Sequence, residues 1–228
     1  LDRGDKSYLR NVSWVGNTVY NHDDLNRTLQ LKRGDVYNQK LLTERLQTDD
    51  DAIANQYYNH GYVFSRVTPV ETNVVGDSID LEVRIIENNQ AHLNHVNIAG
   101  NDRVFDEVVR RELKTKPGDL FNREAIMRSA RDIMSMGLFE PEKVEPEPKP
   151  NQEDGTVDLT YKLVSKSADQ FEISGGWGPA GITGRVGVKF TNFAIQNWFK
   201  KEGQSRNLFP QGLGQTLEVS AQTNGTYY

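Results

Sequence analysis

Val12-Ser13-Trp14-Val15-Gly16-Asn17 returns as Val96-Asn97-Ile98-Ala99-Gly100-Asn101, and Lys32-Arg33-Gly34-Asp35-Val36-Tyr37-Asn38 returns as Lys116-Pro117-Gly118-Asp119-Leu120-Phe121-Asn122. Gly16 and Gly100 are 84 positions apart, as are Gly34 and Gly118. Two matches in one register point to a duplicated domain. Residues after about Lys166 belong to neither copy.

Each copy opens with a short apolar strand, Leu9, Val12, Trp14 and Val15 in the first and Leu93, Val96 and Ile98 in the second. Gly-Asn ends both strands with turn chemistry. A first helix carries Leu25 and Leu29, and its counterpart Phe105, Val108, Val109 and Leu113. Gly34-Asp35 and Gly118-Asp119 break it, and Asn38 and Asn122 are suited to cap a second helix by accepting from first-turn amides. That helix presents Leu42, Leu46, Ile53 and Tyr57 in copy one, and Ile126, Ala130 and Ile133 in copy two, on one face. Gly61 and Gly137 stand where a left-handed C-terminal residue is wanted. They are only 76 positions apart, so copy one carries eight extra residues within the second helix, about two turns.

Two strands close each unit, Tyr62 to Glu71 with Ser78 to Ile86, and Phe139 to Lys149 with Thr156 to Val164. Turns at Val75-Gly76-Asp77 and Asp154-Gly155 join them. The plan is β-α-α-β-β, twice, an α+β fold. Proline cannot donate to a ladder and is confined to edges and bulges. Pro69 therefore marks one edge, and Glu145-Pro146-Glu147-Pro148-Lys149-Pro150 closes the corresponding edge of copy two against pairing. The edge around Ser65, Val67 and Val70 is the one left open. The connection Glu87-Asn88-Asn89-Gln90-Ala91 is short and polar, which implies some hinge freedom between the copies.

The tail alternates differently. Val186, Val188 and Phe190 interleave with Arg185, Gly187 and Lys189, and Leu217, Val219 and Ala221 with Glu218, Ser220 and Gln222. Such two-faced segments suit a strand between lipid and lumen, or a soluble hairpin with one buried face. Three strands cannot close a barrel, so water solubility of this piece requires a disordered tail, self-pairing or a second chain. A long connector from Phe193 to Gly214 carries Phe193, Ile195, Trp198 and Phe199 followed by Lys200 and Lys201. Phe193, Trp198, Phe199 and Lys200 are read as a membrane-interface group, aromatic rings in the headgroup zone and lysines at phosphate. Packing against the preceding domain is the competing reading.

Composition excludes more than it suggests. The formal net charge of −5 offers no basic face for nucleic acid. There is no cysteine, hence no disulfide, thiolate zinc site or thiol nucleophile. Neither a signal peptide nor a spanning helix of about 18 apolar residues is present, and the opening and closing residues read as those of a piece cut from a longer protein. His92 and His95 flank a strand and point to opposite faces, so they are not read as metal ligands. Asp49-Asp50-Asp51 reads as a solvated mid-helix face. No phosphate loop, nucleophile elbow or carboxylate pair is found, so neither enzymatic activity nor a cofactor is expected.

The tandem of β-α-α-β-β units, with Gly-Asn after the first strand and Gly-Asp between the helices, resembles the POTRA domains of BamA-like outer-membrane assembly proteins and their surface-antigen relatives. The resemblance covers roughly residues 8 to 165 and implies a first POTRA domain at 8–88, after the end of an upstream segment at 1–7. A membrane-proximal POTRA domain at 89–166 and the first antiparallel strands of a transmembrane β-barrel at 167–228 would follow. In that family the first barrel strand lies at a seam thought to open for client strands, which assigns Gly175, Gly176 and Gly178 to keeping it weak; the alternative is that they serve the turn at Gly178-Pro179-Ala180-Gly181. The resemblance further implies an outer-membrane location with these repeats in the periplasm. Expected partners are unfolded outer-membrane clients, periplasmic or lipoprotein accessory subunits, and lipid around the barrel. Clients would add as a strand to the edge at Ser65, Val67 and Val70. A two-partner-secretion transporter, which shares two POTRA domains before a barrel, is the alternative role, and a metal-dependent envelope enzyme built on the His pair is a third.

Overall fold

A computed structural model describes residues 6–166, 169–178, 181–195 and 211–224. The first repeat runs β1 (Tyr8–Val15), α1 (His22–Leu29), α2 (Gln39–Thr43), a π-helical turn (Glu44–Thr48), α3 (Ile53–Asn59), β2 (Arg66–Val75) and β3 (Ser78–Ile86). The second runs β4 (His92–Ala99), α4 (Asp106–Arg110), α5 (Arg123–Ser135), a 3-10 turn (Pro141–Lys143), β5 (Glu145–Asn151) and β6 (Thr156–Lys162). The tail contributes β7 (Gln170–Gly178), β8 (Gly181–Phe193) and β9 (Gln215–Asn224). Among the described residues these strands make three three-stranded sheets, ordered β1-β3-β2, β4-β6-β5 and β7-β8-β9. The proline-free last strand of each repeat is central and the proline-bearing strand is at the edge. By packing, the chain divides into two compact units. One is Leu1–Val96 with Thr115–Ile126 and Pro148–Leu159; the other is Asn97–Lys114, Met127–Glu147 and Thr160–Tyr228.

In the first unit, one face of the sheet and the helices enclose Leu9, Trp14, Leu25, Leu29, Leu42, Leu46, Ile53, Tyr57, Leu81, Val83 and Ile85. These include the residues whose spacing marked α1 and the second helix. Trp14 is buried, and its indole N–H finds the Asn26 side chain at 2.8 Å, so the ring is buried with its polar atom satisfied.

The repeated signatures have matching geometry in both copies. Gly16 and Gly100 sit at φ +87° and +85°. A Cβ there would stand 2.2 Å from the Ile85 carbonyl oxygen and 1.8 Å from that of Leu163, so only glycine lets the turn approach the end of the central strand. The next residue closes the turn in each copy, Asn17 Nδ2 donating to the Tyr20 carbonyl and Asn101 Nδ2 to that of Val104. In the Lys-x-Gly-Asp loops, Asp35 accepts from the Lys32 amide and Asp119 from the Lys116 amide. Gly34 N–H then bonds the Leu9 carbonyl, and Gly118 N–H that of Leu93, each at 2.7 Å. The second signature thus covers the start of the sheet's other edge. Asn38 caps α2 through the Lys40 and Leu41 amides, and Asn122 Oδ1 accepts from the Ala125 amide.

Several expectations are corrected. The eight extra residues of copy one do not lengthen a helix by two turns. Where copy two has the single helix α5, copy one has α2, the π-helical turn, a break at Asp49–Ala52 and α3. Asp49 and Asp51 therefore lie in a turn and not mid-helix, where both bind Arg45, at 3.0 and 2.7 Å. Arg45 also donates to the Thr28 and Leu29 carbonyls with a side chain only 12 % exposed. These bonds, invisible in a run of three acids, tie the break to the end of α1. Strand β2 begins at Arg66 and extends to Val75, and the 3-10 turn separates Phe139 from β5. Helix α4 is a short one that leaves Phe105 and Leu113 outside it.

Candidate functional site

The edges of the two repeat sheets differ sharply. In β5 the prolines fall at 146, 148 and 150, every second residue. Alternate residues of a strand direct their backbone groups to the same side. Turned toward β6 they would cost three ladder bonds, so they face outward and leave that stretch of edge without N–H donors.

β2 has one proline. Pro69 pairs with Val83, within a register running from Arg66–Ile86 to Val75–Ser78. With no donor to lose, Pro69 faces outward, and Val67 and Glu71 share its direction by alternation, whereas Thr68 and Val70 face β3. The Val67 carbonyl carries a second element: Gln47 Nε2, from the π-helical turn, donates to it at 3.3 Å. Beyond Glu71 the register slips by one residue, a bulge at Thr72, whose hydroxyl reaches the Asp80 carbonyl at 3.3 Å. Glu71 accepts from the Tyr37 hydroxyl at 2.6 Å, and burial together with this carboxylate pushes the Tyr37 pKa up to about 12.

Of the edge residues singled out from sequence, the Ser65 and Val67 side chains are buried, and Val70 is half-buried with its backbone turned to β3. Ser65 Oγ has no hydrogen-bond partner, and the residue lines a cleft of ≈ 530 Å³ with Tyr58, Phe64, Arg66 and Ile86. What Val67 offers outward is backbone alone. Gln47 was missed by sequence reasoning. Its signal was position: the extra residues lie between Leu46, aligned with Ala130, and Tyr57, aligned with Ile133.

The linker Glu87–Ala91 is hydrogen-bonded to the first repeat along its length. The Glu87 carboxylate accepts from the Thr18 and Val19 amides at 2.7 and 3.0 Å, from the Thr18 hydroxyl, and from the Tyr57 hydroxyl at 2.9 Å. Burial pushes the Glu87 pKa up, but these bonds outweigh it and hold the carboxyl below its ordinary range. Asn88, in a left-handed conformation, donates to the Phe64 carbonyl, Gln90 to that of His60, and the buried Ala91 amide to that of Gly61. Nearby, Asn59 accepts from Asn122 Nδ2 and from the Glu124 amide, both at 2.9 Å.

The tail sheet has two faces. Cross-strand pairs Phe171–Val188, Ile173–Val186 and Trp177–Ile182 share one face, extended on β9 by Val219 and Ala221. Phe171, Ile173, Trp177 and Ile182 are 69 %, 83 %, 91 % and 72 % exposed. The other face carries Glu172, Ser174, Arg185, Lys189 and Glu218. Gly175 pairs with Gly184, Gly176 with Thr183 and Gly178 with Gly181, so the three glycines assigned to a seam lie along β7, an edge strand of this sheet. The Thr183 hydroxyl donates to the Gly176 carbonyl.

Of the membrane-interface group, Trp198, Phe199 and Lys200 lie outside the described residues, and Phe193 is buried. The connector's described ends meet in a polar joint that sequence reasoning also missed. Asn192, 8 % exposed, donates through Nδ2 to the Arg103 carbonyl. Its Oδ1 accepts from the Gly214 amide at 2.9 Å and its backbone carbonyl from the Gly212 amide at 3.0 Å. Gly212 in turn accepts from the Phe105 amide, and a Cβ on it would meet the Phe105 ring at 2.7 Å. His95 bonds Asp158 at 2.9 Å, and this contact holds the Asp158 carboxyl below its ordinary range. Among the described residues no group of three or more His, Asp or Glu side chains is placed to hold a metal.

The curated relatives agree with this architecture. The chain is 24 % identical over 221 residues to the outer membrane protein assembly factor BamA of Nitratidesulfovibrio vulgaris, across 96 % of this chain and 26 % of that protein. It is 27 % identical over 156 residues to BamA of Neisseria meningitidis serogroup B, across 68 % of this chain and 19 % of that protein. The chain thus spans about a fifth to a quarter of the length of these relatives. Among solved structures, BamA from Haemophilus ducreyi lacking POTRA domains 1–3 superposes with a TM-score of 0.68 at 17 % identity, over 95 % of this chain and 37 % of that one, a likeness of fold. The POTRA family, surface antigen variable number repeat, matches residues 7–88 and 91–166. With most of its length in these two matches, the chain belongs to the POTRA family.

Proposed function

We propose that this chain is the membrane-proximal part of an outer-membrane protein assembly factor: two periplasmic repeats that hold unfolded barrel clients, joined to the opening strands of the barrel itself. The observation that carries the reading is the tail sheet. Phe171, Ile173, Trp177 and Ile182 stand more than two-thirds exposed on one face while charged side chains occupy the other. A soluble three-stranded sheet would bury that apolar face; a barrel strand turns it to lipid. The names of the BamA relatives support the same assignment.

The reading makes the protein a non-enzymatic scaffold that needs no cofactor. Clients bind by strand addition, in which main-chain bonds supply affinity with little demand on sequence, as suits a factor handling many different barrel proteins. The first repeat is the one to do this, because the outward edge of β2 keeps the Val67 and Glu71 N–H groups whereas prolines remove the donors along β5. Accessory subunits and lipid complete the set of partners. The test is site-specific photo-crosslinking in the full-length protein during outer-membrane biogenesis. A crosslinker at Glu71 captures unfolded barrel proteins and one at Glu147 does not. Capture at Glu147 alone, or at neither, overturns the proposal.

A further inference from the structure

We propose that Gln47 is a displaceable latch on the client edge. It satisfies the Val67 carbonyl in the empty protein, so that a strand adding to β2 must first evict it. The inference rests on the strand-addition reading above and adds a residue that sets how readily the edge is used.

Three observations carry it. Gln47 is exposed, yet its amide leaves solvent to donate to an outward-facing carbonyl on an edge strand. At 3.3 Å this bond is slightly longer than an ordinary N–H···O contact, which suits one that exchanges for a client's N–H. Gln47 also stands in the segment that distinguishes copy one: Gln47–Gln56 occupies the place of Arg131 and Asp132 in copy two, whose edge is already closed by proline. The segment is not a loose loop. Arg45, two residues earlier, is pinned by Asp49, Asp51 and the Thr28 and Leu29 carbonyls. That anchor returns Gln47 to the same place whenever a client leaves. π-Helical turns are often retained at functional positions, and this one presents Gln47 to β2. An open edge invites pairing with any exposed strand, including that of a second copy. A side-chain donor guards it while leaving strands of higher backbone complementarity able to enter.

The experiment uses the 228-residue chain, isotope-labelled and held in detergent micelles that cover the apolar face of the tail sheet, titrated with a short alternating Val/Thr peptide bearing a nitroxide. Broadening of the Glu71 and Val67 amides locates the peptide, and the titration gives its affinity. Removing the competing bond with Gln47→Ala tightens binding about two- to tenfold, the range expected for one net hydrogen bond. Gln47→Glu, which has no donor at neutral pH, tightens it likewise, and Gln47→Lys, which keeps one, stays near wild type. Matching urea midpoints establish that the exposed substitutions leave the fold intact. Broadening at Glu71 with equal or weaker affinity in Gln47→Ala and Gln47→Glu overturns the latch and leaves strand addition standing. Absence of broadening at Glu71 in every variant overturns both.

Discussion

The two repeats share a frame and differ at their margins. Both place a glycine against a central-strand carbonyl, both close the start of their first strand with a Lys-x-Gly-Asp loop, and both cap the following helix with asparagine. Copy two then seals its free edge with three prolines in alternation. Copy one instead carries one proline, a bulge and the Gln47 contact. Copy two is closed by residues that lack an N–H, whereas copy one is covered by a side chain that, on the latch proposal, a client can displace. Chain-entropy and steric demands fix the frame, whereas the edge is under no such demand and can be spent on selectivity.

The sharpest way to break the comparison is through the shared glycines. Gly100→Ala forces a Cβ into the Leu163 carbonyl at a positive φ, and an expected loss of about 3–5 kcal/mol combines strain and overlap. Gly16→Ala should fall in the same range, read from urea unfolding. Gly34→Ala and Gly118→Ala meet open space and should lose only about 1–2 kcal/mol, the cost of the left-handed conformation. Unequal losses between Gly16 and Gly100 would mean that the frame is not shared.

A second measurement asks how firmly the connector is seated. Asn192→Ala leaves the Arg103 carbonyl and the Gly214 amide unsatisfied and should cost about 2 kcal/mol. Hydrogen exchange at Gly214 and Phe105 should accelerate, while amides of the first unit stay unchanged. Next in size is the edge itself. Val67→Pro removes an outward N–H without breaking the β2–β3 ladder and should weaken peptide binding about tenfold, near 1.4 kcal/mol. Val144→Ala, immediately before the already closed β5 of copy two, should change it less than about twofold. Equal effects would erase the distinction between the repeats.

The smallest effect is on acid stability. The folded Glu87 carboxyl lies below its ordinary pKa of 4.5, so its contribution is fully present above that value and fades as pH falls through the lower, folded one. Glu87→Gln should cost about 1 kcal/mol near neutral pH, and the deficit should narrow in urea titrations below pH 4. A deficit unchanged by acid would assign the loss to packing.

Much of this is legible in the amino-acid sequence. The 84-residue register located both repeats, because glycine at a left-handed turn and asparagine at a cap are requirements of single positions. Proline spacing identified the edge strands, since a missing N–H is a property of the residue. Alternation along Arg185–Phe190 and Leu217–Gln222 announced two-faced strands for the same reason: period two is local. What sequence alone could not decide was how eight extra residues are absorbed, whether Asp49–Asp51 faces water or an arginine, and which side chain covers Val67. Those outcomes depend on partners 4 to 20 residues away along the chain, and Asn192 on one 89 away. Local chemistry dictates turns, caps and edges. Which distant group satisfies a given carbonyl is set only when the packed chain brings the two within hydrogen-bonding distance.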